Sequence, residues 1–149
     1  VTVYVTRPGI VIGRGGTGLE DLKKFITVFM NKSNKKDSVK IELKVEPVKE
    51  PNLDAQIVAQ TISDQLLKRM PHRRIVKQSI ERVMGAGAKG VQVQLSGRIA
   101  GAEISRREKY KQGTVPFSTI REEVHYASVP ALTKSGYIGV KVWICRKSV

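Results

Sequence analysis

The stretch GIVIGRGGTG, residues 9 to 18, decides the fold, because its glycines fit two unrelated motifs. Gly13, Gly15 and Gly18 match the G-x-G-x-x-G fingerprint that holds a dinucleotide at the start of a helix. Gly13 and Gly16 instead match a short G-x-x-G loop, in which the glycines let the backbone of single-stranded RNA approach the chain. The first motif predicts an oxidoreductase and the second a nucleic-acid binder, so the rest of the sequence has to distinguish them.

The residues on either side of this stretch predict a strand, a helix and a second strand. VTVYVT alternates apolar and polar residues and predicts a strand over residues 1–6. Because that strand is already in progress at the first residue, we expect a further N-terminal segment in the natural protein. The apolar spacing predicts a helix from Leu19 to about Asn31, and VKIELKVE predicts a strand over residues 39–46. The glycines therefore lie between a strand and a helix, as both motifs require.

The second half of the chain separates the two motifs. Asp54 is a suitable N-cap for a helix that runs to Met70, and Pro71 begins the next helix. VQVQLSG and YIGVKVWIC, residues 91–97 and 137–145, share with VKIELKVE an alternation that is typical of antiparallel sheets with one face in water. Two helices followed by such strands do not continue the parallel βαβ repeat of a dinucleotide-binding fold. We therefore favour the RNA-binding loop over the fingerprint, and a glycine turn that binds nothing is the remaining alternative. In the RNA-binding interpretation, Ile10 and Ile12 pack beneath the loop and form part of the groove that binds bases.

The charge balance favours a polyanion as partner. The 149 residues contain 27 Lys and Arg against 13 Asp and Glu, which gives a net charge of +14. Nucleic acid is favoured over a membrane surface, because a basic protein that binds phosphates releases condensed counterions. No apolar run reaches the roughly 20 residues of a spanning helix. Residues 1–70 carry a net charge of +4 and residues 71–149 a net charge of +10, so the second half produces most of the field.

The residues that support other chemistry are few. The chain contains one cysteine, Cys145, and two histidines, His72 and His125. They are too few and too far apart for a zinc site, and one cysteine excludes a disulfide framework within the chain. We therefore expect a reducing cytosol and neither a metal nor a cofactor. No paired carboxylates and no nucleophile–base pair stand in a pocket-like context, which argues against an enzyme.

One group of cations lies on a predicted helix. In PHRRIVKQSIERV, Arg73, Arg74 and Lys77 project from one side of the helix, opposite Val76 and Ile80. The group is either a solvated helix face or a surface that binds phosphates. The shortage of acidic residues on neighbouring turns favours phosphate binding.

A second group of cations lies in SGRIAGAEISRREKYKQG, residues 96–113. Small residues there let a nucleic-acid backbone approach, and long cations can then straddle phosphates. Tyr110 either stacks on a base or belongs to the rim of the core. The candidate RNA-binding residues of this segment are Arg98, Arg106, Arg107, Lys109 and Lys111.

Taken together, these stretches resemble the ribosomal protein S3 family of the small ribosomal subunit, in its bacterial form. The resemblance covers essentially the whole chain: RPGIVIGRGG resembles the family's KH loop, and LDAQIVAQTISDQL resembles the helix that follows. RRIVK and GAKGVQVQLSGRIAGAEISR continue the match, and SGYIGVKVWI resembles the last strand. Lys109 departs from the family, which often has tryptophan there.

The resemblance implies an α+β fold in two domains. Residues 1–48 would form a type II KH domain, incomplete at its N-terminus, whose RNA-binding loop is Gly13, Arg14, Gly15 and Gly16. Residues 49–149 would form the S3 C-terminal domain, a mainly antiparallel sheet packed on helices. The two prolines of VEPVKEPN, residues 45–52, are also typical of a domain boundary.

The resemblance also implies a function in the cytoplasmic ribosome. The family is a structural constituent of the small-subunit head and binds small-subunit rRNA and neighbouring head proteins, with S10 and S14 expected here. Positions that match Arg73, Arg74 and Lys77 help line the channel through which messenger RNA enters. We expect no membrane partner and no homo-oligomer. The alternative function is a free KH-type regulator that binds single-stranded RNA outside the ribosome.

Overall fold

The computed structural model describes residues 1–33 and 41–146. The chain divides into two compact units, Val1–Lys49 and Glu50–Val149, which we call the N-unit and the C-unit. In chain order, the strands and α-helices are β1 Thr2–Val5, α1 Pro8–Ile12, α2 Thr17–Ser33, β2 Lys44–Pro47, α3 Ala55–Leu67, α4 His72–Gly85, β3 Gly90–Gly97, β4 Arg106–Gly113, β5 Val124–Thr133 and β6 Gly136–Cys145.

The N-unit is a two-stranded sheet whose strands are joined by helices. β1 and β2 pair in parallel, with Val3 opposite Val45. The antiparallel pairing predicted from the alternation was therefore wrong for this pair, because α1 and α2 carry the chain back to the end at which β1 began. The predicted strand over residues 39–46 begins only at Lys44, and its residues 39 and 40 lie outside the described residues.

The C-unit is a four-stranded antiparallel sheet with helices on one face. The strand order is β4-β3-β6-β5, so β4 and β5 are the edge strands. Helix α3 contacts β5 and β6, while α4 contacts β3 and β4. Together with the N-unit, this sheet confirms the predicted α+β fold with a mainly antiparallel sheet.

The core of the C-unit follows from the alternation in β3 and β6. Val93 of β3 lies opposite Val142 of β6, and both are fully buried. Helix α4 buries Ile75 and Val76 against this layer, and α3 buries Ile62. Alternate residues of each strand point to the same face, so one face of the sheet forms the core and the other is left for contacts of another kind.

The helix boundaries of the C-unit agree with the capping residues read from the sequence. The Asp54 carboxylate accepts hydrogen bonds from the backbone N–H groups of Gln56 and Ile57, at 2.8 and 3.3 Å, and so caps α3. Pro71 precedes α4, where its missing N–H costs nothing. Helix α3 ends at Leu67, three residues before the predicted end at Met70.

The two edge strands, β4 and β5, were missed by the sequence pattern. The sequence of β4, RREKYKQG, has charged residues at both alternating positions, so its pattern indicates a basic segment and does not predict a strand. β5 contains Pro130, which an edge strand tolerates because one side of it needs no ladder hydrogen bonds.

Neither a membrane-spanning helix nor a metal-binding cluster of side chains is present in the described residues. None of the helices in the described part of the chain is long and apolar enough to cross a membrane. Over residues 1–33 and 41–146, His, Cys, Asp and Glu side chains form no group of three or more that could hold a metal ion.

Candidate nucleic-acid interface

The glycine loop is a tight backbone turn at the start of α2. Gly13, Gly15 and Gly16 have φ values of 71°, 65° and 83°, a region that side chains other than glycine rarely adopt. The Thr17 hydroxyl donates a hydrogen bond to the Arg14 carbonyl oxygen at 3.1 Å, which closes the turn onto the helix. None of the described residues has an atom within 4 Å of the space that a side chain at Gly15 or Gly16 would take, so both positions are open to that part of the chain.

Gly18 brings α1 and α2 together beside this loop. A Cβ atom at Gly18 would lie 2.5 Å from the Val11 carbonyl oxygen, a distance that no real side chain tolerates. Because α1 stands between β1 and the glycines, the dinucleotide fingerprint lacks the strand that should run directly into it. The glycines therefore lie in a turn between two helices, which argues against the dinucleotide fingerprint.

The apolar residues of α1 do not lie as the sequence suggested. Ile10 and Ile12 were expected to pack beneath the loop, but Ile10 is 74% exposed and Ile12 36% exposed. Val11 is the half-buried residue between them. The packing beneath the loop was therefore wrong for Ile10, because a five-residue helix turns its side chains around an axis rather than alternating them.

Helix α4 presents the first predicted group of cations. Arg73, Arg74 and Lys77 are all exposed, and together with Gln78 and Glu81 they line a shallow groove along the helix. The opposite side of the helix is anchored in the core, so the cationic face is held on a rigid element. Among the ion pairs that the described residues form, none involves these three side chains.

A polar cluster joins α4 to the edge strand β4. Glu108 is the centre: the Tyr110 hydroxyl donates a hydrogen bond to its Oε2 at 2.6 Å, and Arg106 Nε lies 2.9 Å from its Oε1. His72 Nε2, at the start of α4, lies 3.1 Å from Glu108 Oε2. The hydrogen bond from Tyr110 holds the pKa of Glu108 below its usual range, and the charges of His72, Arg106 and Arg73 lower it further.

Tyr110 belongs to the core side of the sheet and does not offer its ring to a base. It is packed against the hydrophobic core and lies on the same face of the sheet as Val93, its partner in register. Burial raises the pKa of Tyr110, and the hydrogen bond to Glu108 raises it further. Of the two interpretations of Tyr110 left open by the sequence, the structure supports the rim of the core.

The face of the C-unit sheet away from the helices carries a basic surface, which we call the open face. In one row across the sheet, Lys109 pairs with Gln94, Gln94 pairs with Lys141, and Lys141 pairs with Ser128. The strand residues of this face include four cations and no acidic residue; the cations are Arg107, Lys109, Lys111 and Lys141.

The next row of the open face adds aromatic rings to the charge. Lys111 pairs with Gln92, Gln92 pairs with Trp143, and Trp143 pairs with Tyr126. The rings of Tyr126 and Trp143 have centroids 5.2 Å apart and are tilted by 38°, and Phe117 meets Trp143 edge-on at 5.9 Å. Tyr126 is exposed and Trp143 is half-buried. Cations, amides and aromatic rings on one sheet face are the groups by which such faces bind single-stranded nucleic acid.

The structure separates the five candidate residues of the basic segment. Arg107, Lys109 and Lys111 share the open face, whereas Arg106 lies on the other face with Glu108. Arg98 follows β3 in a turn, where its side chain donates hydrogen bonds to the backbone carbonyl oxygens of Ala102 and Ser135.

Sequence reasoning missed the other half of the open face. Lys141, Trp143 and Tyr126 come from strands far along the chain from the basic segment. The polar positions of YIGVKVWIC, which alternate with the buried row, were the available signal for Lys141 and Trp143. They identify a wet face but do not say which strand lies beside it.

Comparison with known proteins gives two family matches. The family model described as "Ribosomal protein S3, C-terminal domain" matches residues 62–144, and the model described as "KH domain" matches residues 1–53.

Similar full-length proteins come from several bacteria. The "Small ribosomal subunit protein uS3" of Bacillus thuringiensis (strain Al Hakam) is 44% identical over 149 residues, which is 100% of this chain and 65% of that protein. The protein of the same name from Lysinibacillus sphaericus (strain C3-41) is 42% identical over the same 149 residues. The one from Clostridium acetobutylicum is 42% identical over 144 residues, 97% of this chain and 62% of that protein. The chain thus spans slightly less than two thirds of the length of these relatives.

Proposed function

The chain belongs to the ribosomal protein S3 family, and on that basis we propose that it is a structural constituent of the small ribosomal subunit that binds small-subunit rRNA. The observation that carries the proposal is the open face, where four cations stand in register without an acidic residue. The like charges of such a surface repel one another in the free protein, and bound phosphates remove this repulsion by neutralising them.

The geometry of the open face suits an extended phosphate backbone. Arg107, Lys109 and Lys111 occupy alternate positions of β4, so their Cα atoms lie about 7 Å apart along the edge strand. Lys141 lies across the sheet in the row of Lys109, which places a fourth cation inward from the edge. The amide of Gln92 and the ring of Trp143 between them can contact bases, while the cations hold phosphates.

The cationic face of α4 has a separate place in the proposal. We assign Arg73, Arg74 and Lys77 to the channel through which messenger RNA enters the small subunit. Their face is exposed and mounted on a helix whose other side is buried, so it can hold a moving strand without changing shape. The exposed remainder of the surface is left for the neighbouring head proteins, S10 and S14 being the partners we expect, in the ribosome of the cytoplasm.

The glycine loop completes the proposal in the N-unit. Gly13, Arg14, Gly15 and Gly16 form an open turn, followed directly by the N-terminus of the 17-residue helix α2. Free N–H groups and the positive end of the helix dipole favour a phosphate there. The loop is therefore assigned to single-stranded RNA, which it holds by its backbone.

The deciding experiment is co-sedimentation of the chain with small ribosomal subunits that lack their own copy of this protein. We expect the chain to co-sediment at moderate salt and the double variant Lys109→Glu, Lys141→Glu to remain in the supernatant. The matched control, Lys49→Glu with Lys68→Glu, reverses two exposed charges elsewhere and should co-sediment. If the open-face variant still co-sediments, rRNA is held elsewhere. If the unaltered chain stays in the supernatant but binds single-stranded RNA through its glycine loop, the regulator outside the ribosome is the better description.

The assignment of α4 needs its own test on ribosomes that carry the chain's residues. Replacing Arg73, Arg74 and Lys77 by alanine should leave assembly intact, because the buried side of α4 is untouched. Translation of messages with hairpins should slow relative to unstructured messages, since side-chain cations that contact the phosphates of the messenger help keep the two strands of a hairpin apart. Equal slowing of both kinds of message, or failure to assemble, would remove this helix from the messenger channel.

A further inference from the structure

A cavity of about 390 Å³ lies in the C-unit, away from the open face. It is enclosed by the C-terminal end of α3 and the start of α4, by the turn between β5 and β6, and by the turn that follows β3. Leu66, Met70 and Ile138 give it apolar walls. Its volume is at the lower end of the range of about 300–1,000 Å³ that is common for small-ligand sites.

The cavity is basic as well as partly apolar. Arg69, Arg98 and Lys134 line it, and none of its described lining residues is acidic. The guanidinium of Arg98 is fixed in place, because its Nε donates to the Ala102 carbonyl oxygen at 2.8 Å and its Nη1 to the Ser135 carbonyl oxygen at 3.4 Å. With the described residues, the side chains of Arg69 and Lys134 form no such bonds, and both are exposed, so their charges are available to a ligand.

The backbone around this cavity is unusual for its residue types. Among the described residues, the two non-glycine residues with positive φ are Arg69 at 58° and Ala100 at 56°, and both line the cavity. Arg69 follows the end of α3, where the Met70 N–H bonds back to the Gln65 carbonyl oxygen in a turn that usually takes glycine. Residues in such backbone conformations persist where the surrounding structure holds them in place, and they cluster at ligand-binding and active sites.

We propose that this cavity binds a nucleotide, with the heterocyclic base against Leu66, Met70 and Ile138 and the phosphate between Arg69 and Lys134. A base supplies a flat apolar body that fits the walls, and a phosphate supplies the anion that these cations lack among the described lining residues. Two sources share this chemistry: an unstacked nucleotide of an RNA strand and a free mononucleotide. The first source rests on the proposed function, and the second does not.

The test is a titration of the 149-residue chain, followed by methyl NMR signals of Leu66, Met70 and Ile138. The probes are AMP, ribose 5-phosphate, inorganic phosphate and a single-stranded RNA of five nucleotides. AMP should shift these methyl signals saturably and bind at least about tenfold more tightly than ribose 5-phosphate, because only AMP has the base that the apolar walls contact. Equal binding of the two, or methyl signals that do not move, overturns the proposal.

AMP should bind about tenfold more weakly to each of the variants Arg69→Gln and Lys134→Gln, as expected for loss of a charge-assisted contact to phosphate. The matched control is Lys68→Gln, which removes the exposed cation next to Arg69 that does not line the cavity, and it should change AMP affinity less than about twofold. If the control loses as much AMP affinity as the two variants, the loss comes from the change in net charge, and the proposed site is overturned.

The RNA probe distinguishes the two sources and separates this site from the open face. Pocket-dependent binding of the RNA at least about tenfold tighter than AMP assigns the cavity to a nucleotide of an RNA chain, whereas equal affinities assign it to a free nucleotide. The variant Lys109→Glu, Lys141→Glu should leave the AMP shifts unchanged. If that variant loses RNA binding but keeps AMP binding, the RNA is bound by the open face and the proposal for the cavity stands. If Arg69→Gln loses AMP binding but keeps rRNA binding, the cavity binds the nucleotide and the proposal for the open face stands.

Discussion

The glycine loop and the open face offer RNA two different kinds of surface. The loop presents backbone: three glycines at positive φ, one arginine, and the first N–H groups of α2. The open face presents side chains, four cations and two aromatic rings brought into register from three strands, β4, β5 and β6. The loop must therefore depend on its conformation and the face on its charge. Substitutions that add side-chain atoms should therefore disrupt RNA binding by the loop, and substitutions that remove charge should disrupt RNA binding by the open face.

The largest effect is expected from removing charge on the open face. Replacing Lys109, Lys111 and Lys141 by glutamine should weaken RNA binding by about 100-fold near 0.1 M salt and reduce the slope of log affinity against log salt by about 2. Each lost phosphate contact with a single strand changes that slope by about 0.7, and the three contacts add. Fluorescence anisotropy of a labelled small-subunit rRNA fragment over a salt series measures both quantities.

Neutralising three exposed cations elsewhere provides the control for this prediction. Lys49→Gln, Lys68→Gln and Arg121→Gln change the net charge by the same amount and lie outside the open face. An equal fall in slope would mean that RNA responds to net charge alone. The difference between the open face and any other basic surface would then disappear.

The loop should instead be broken by a single methyl group. Gly18→Ala places a Cβ atom against the Val11 carbonyl oxygen, and we expect the N-unit to lose about 2 kcal/mol of stability because backbone atoms must move. Hydrogen exchange of the α2 amides at the start of that helix would report the loss. Affinity of the N-unit for single-stranded RNA should fall with it.

Gly9→Ala is the matched control, since it adds the same methyl group in α1 where nothing lies within 4 Å. Gly9 lies in a helix, so alanine there should be neutral or stabilise by about 0.5–1 kcal/mol. Similar exchange rates in the two variants would show that close approach of α1 and α2 is not what forms the loop.

The third prediction concerns the support of the basic edge strand. Glu108→Gln should destabilise the C-unit by about 1.5 kcal/mol, because Tyr110 loses a charged acceptor, and Arg106 and His72 lose a negative charge close by on a side chain that is only 19% exposed. Since the folded pKa of Glu108 lies below its usual value, the stability it contributes is present above about pH 4.5 and is lost as pH falls through the folded pKa.

Denaturant unfolding of both proteins between pH 3 and pH 7 measures this contribution, and the unaltered chain should lose more stability on acidification than the variant. RNA affinity should change little, because Glu108 lies on the face of β4 opposite Lys109. A large loss of affinity with the fold intact would show that the two faces of the sheet do not act separately.

The difference between the loop and the open face also explains what the sequence could predict. A loop made of contiguous residues can be predicted from the local sequence. The position of GRGG before a helix and the helix cap at Asp54 were both predicted in this way. The open face is assembled from strands that are distant in sequence, so the neighbours of Lys109 depend on a strand order that alternation does not specify. The edge strand β4 has no apolar row of its own, because its core side carries Glu108 and Tyr110.

Pairing direction was equally out of reach of the pattern. The alternation in VKIELKVE is the same for parallel and antiparallel partners when one face is wet, and only the path of α1 and α2 makes β1 and β2 parallel. The basic cavity was hidden for a similar reason: Arg69, Arg98 and Lys134 come from three turns that the sheet brings together.

The smallest effect is expected from Arg14, the one cation within the glycine loop. Arg14→Gln removes a single charge and leaves every glycine φ in place, so RNA affinity should fall by about fivefold near 0.1 M salt, the value of one phosphate contact. Stability should not change, since Arg14 is exposed and only its backbone carbonyl takes part in closing the turn.

The informative measurement is the ratio between the losses of RNA affinity in Arg14→Gln and in Gly18→Ala at raised salt, where electrostatic contacts weaken and steric ones do not. At about 0.5 M salt the effect of Arg14→Gln should fall below about twofold, because the same contact is then worth only about 0.2 in log affinity. The effect of Gly18→Ala should persist at that salt. If the two losses shrink together, the loop holds RNA by charge after all, in the same way as the open face.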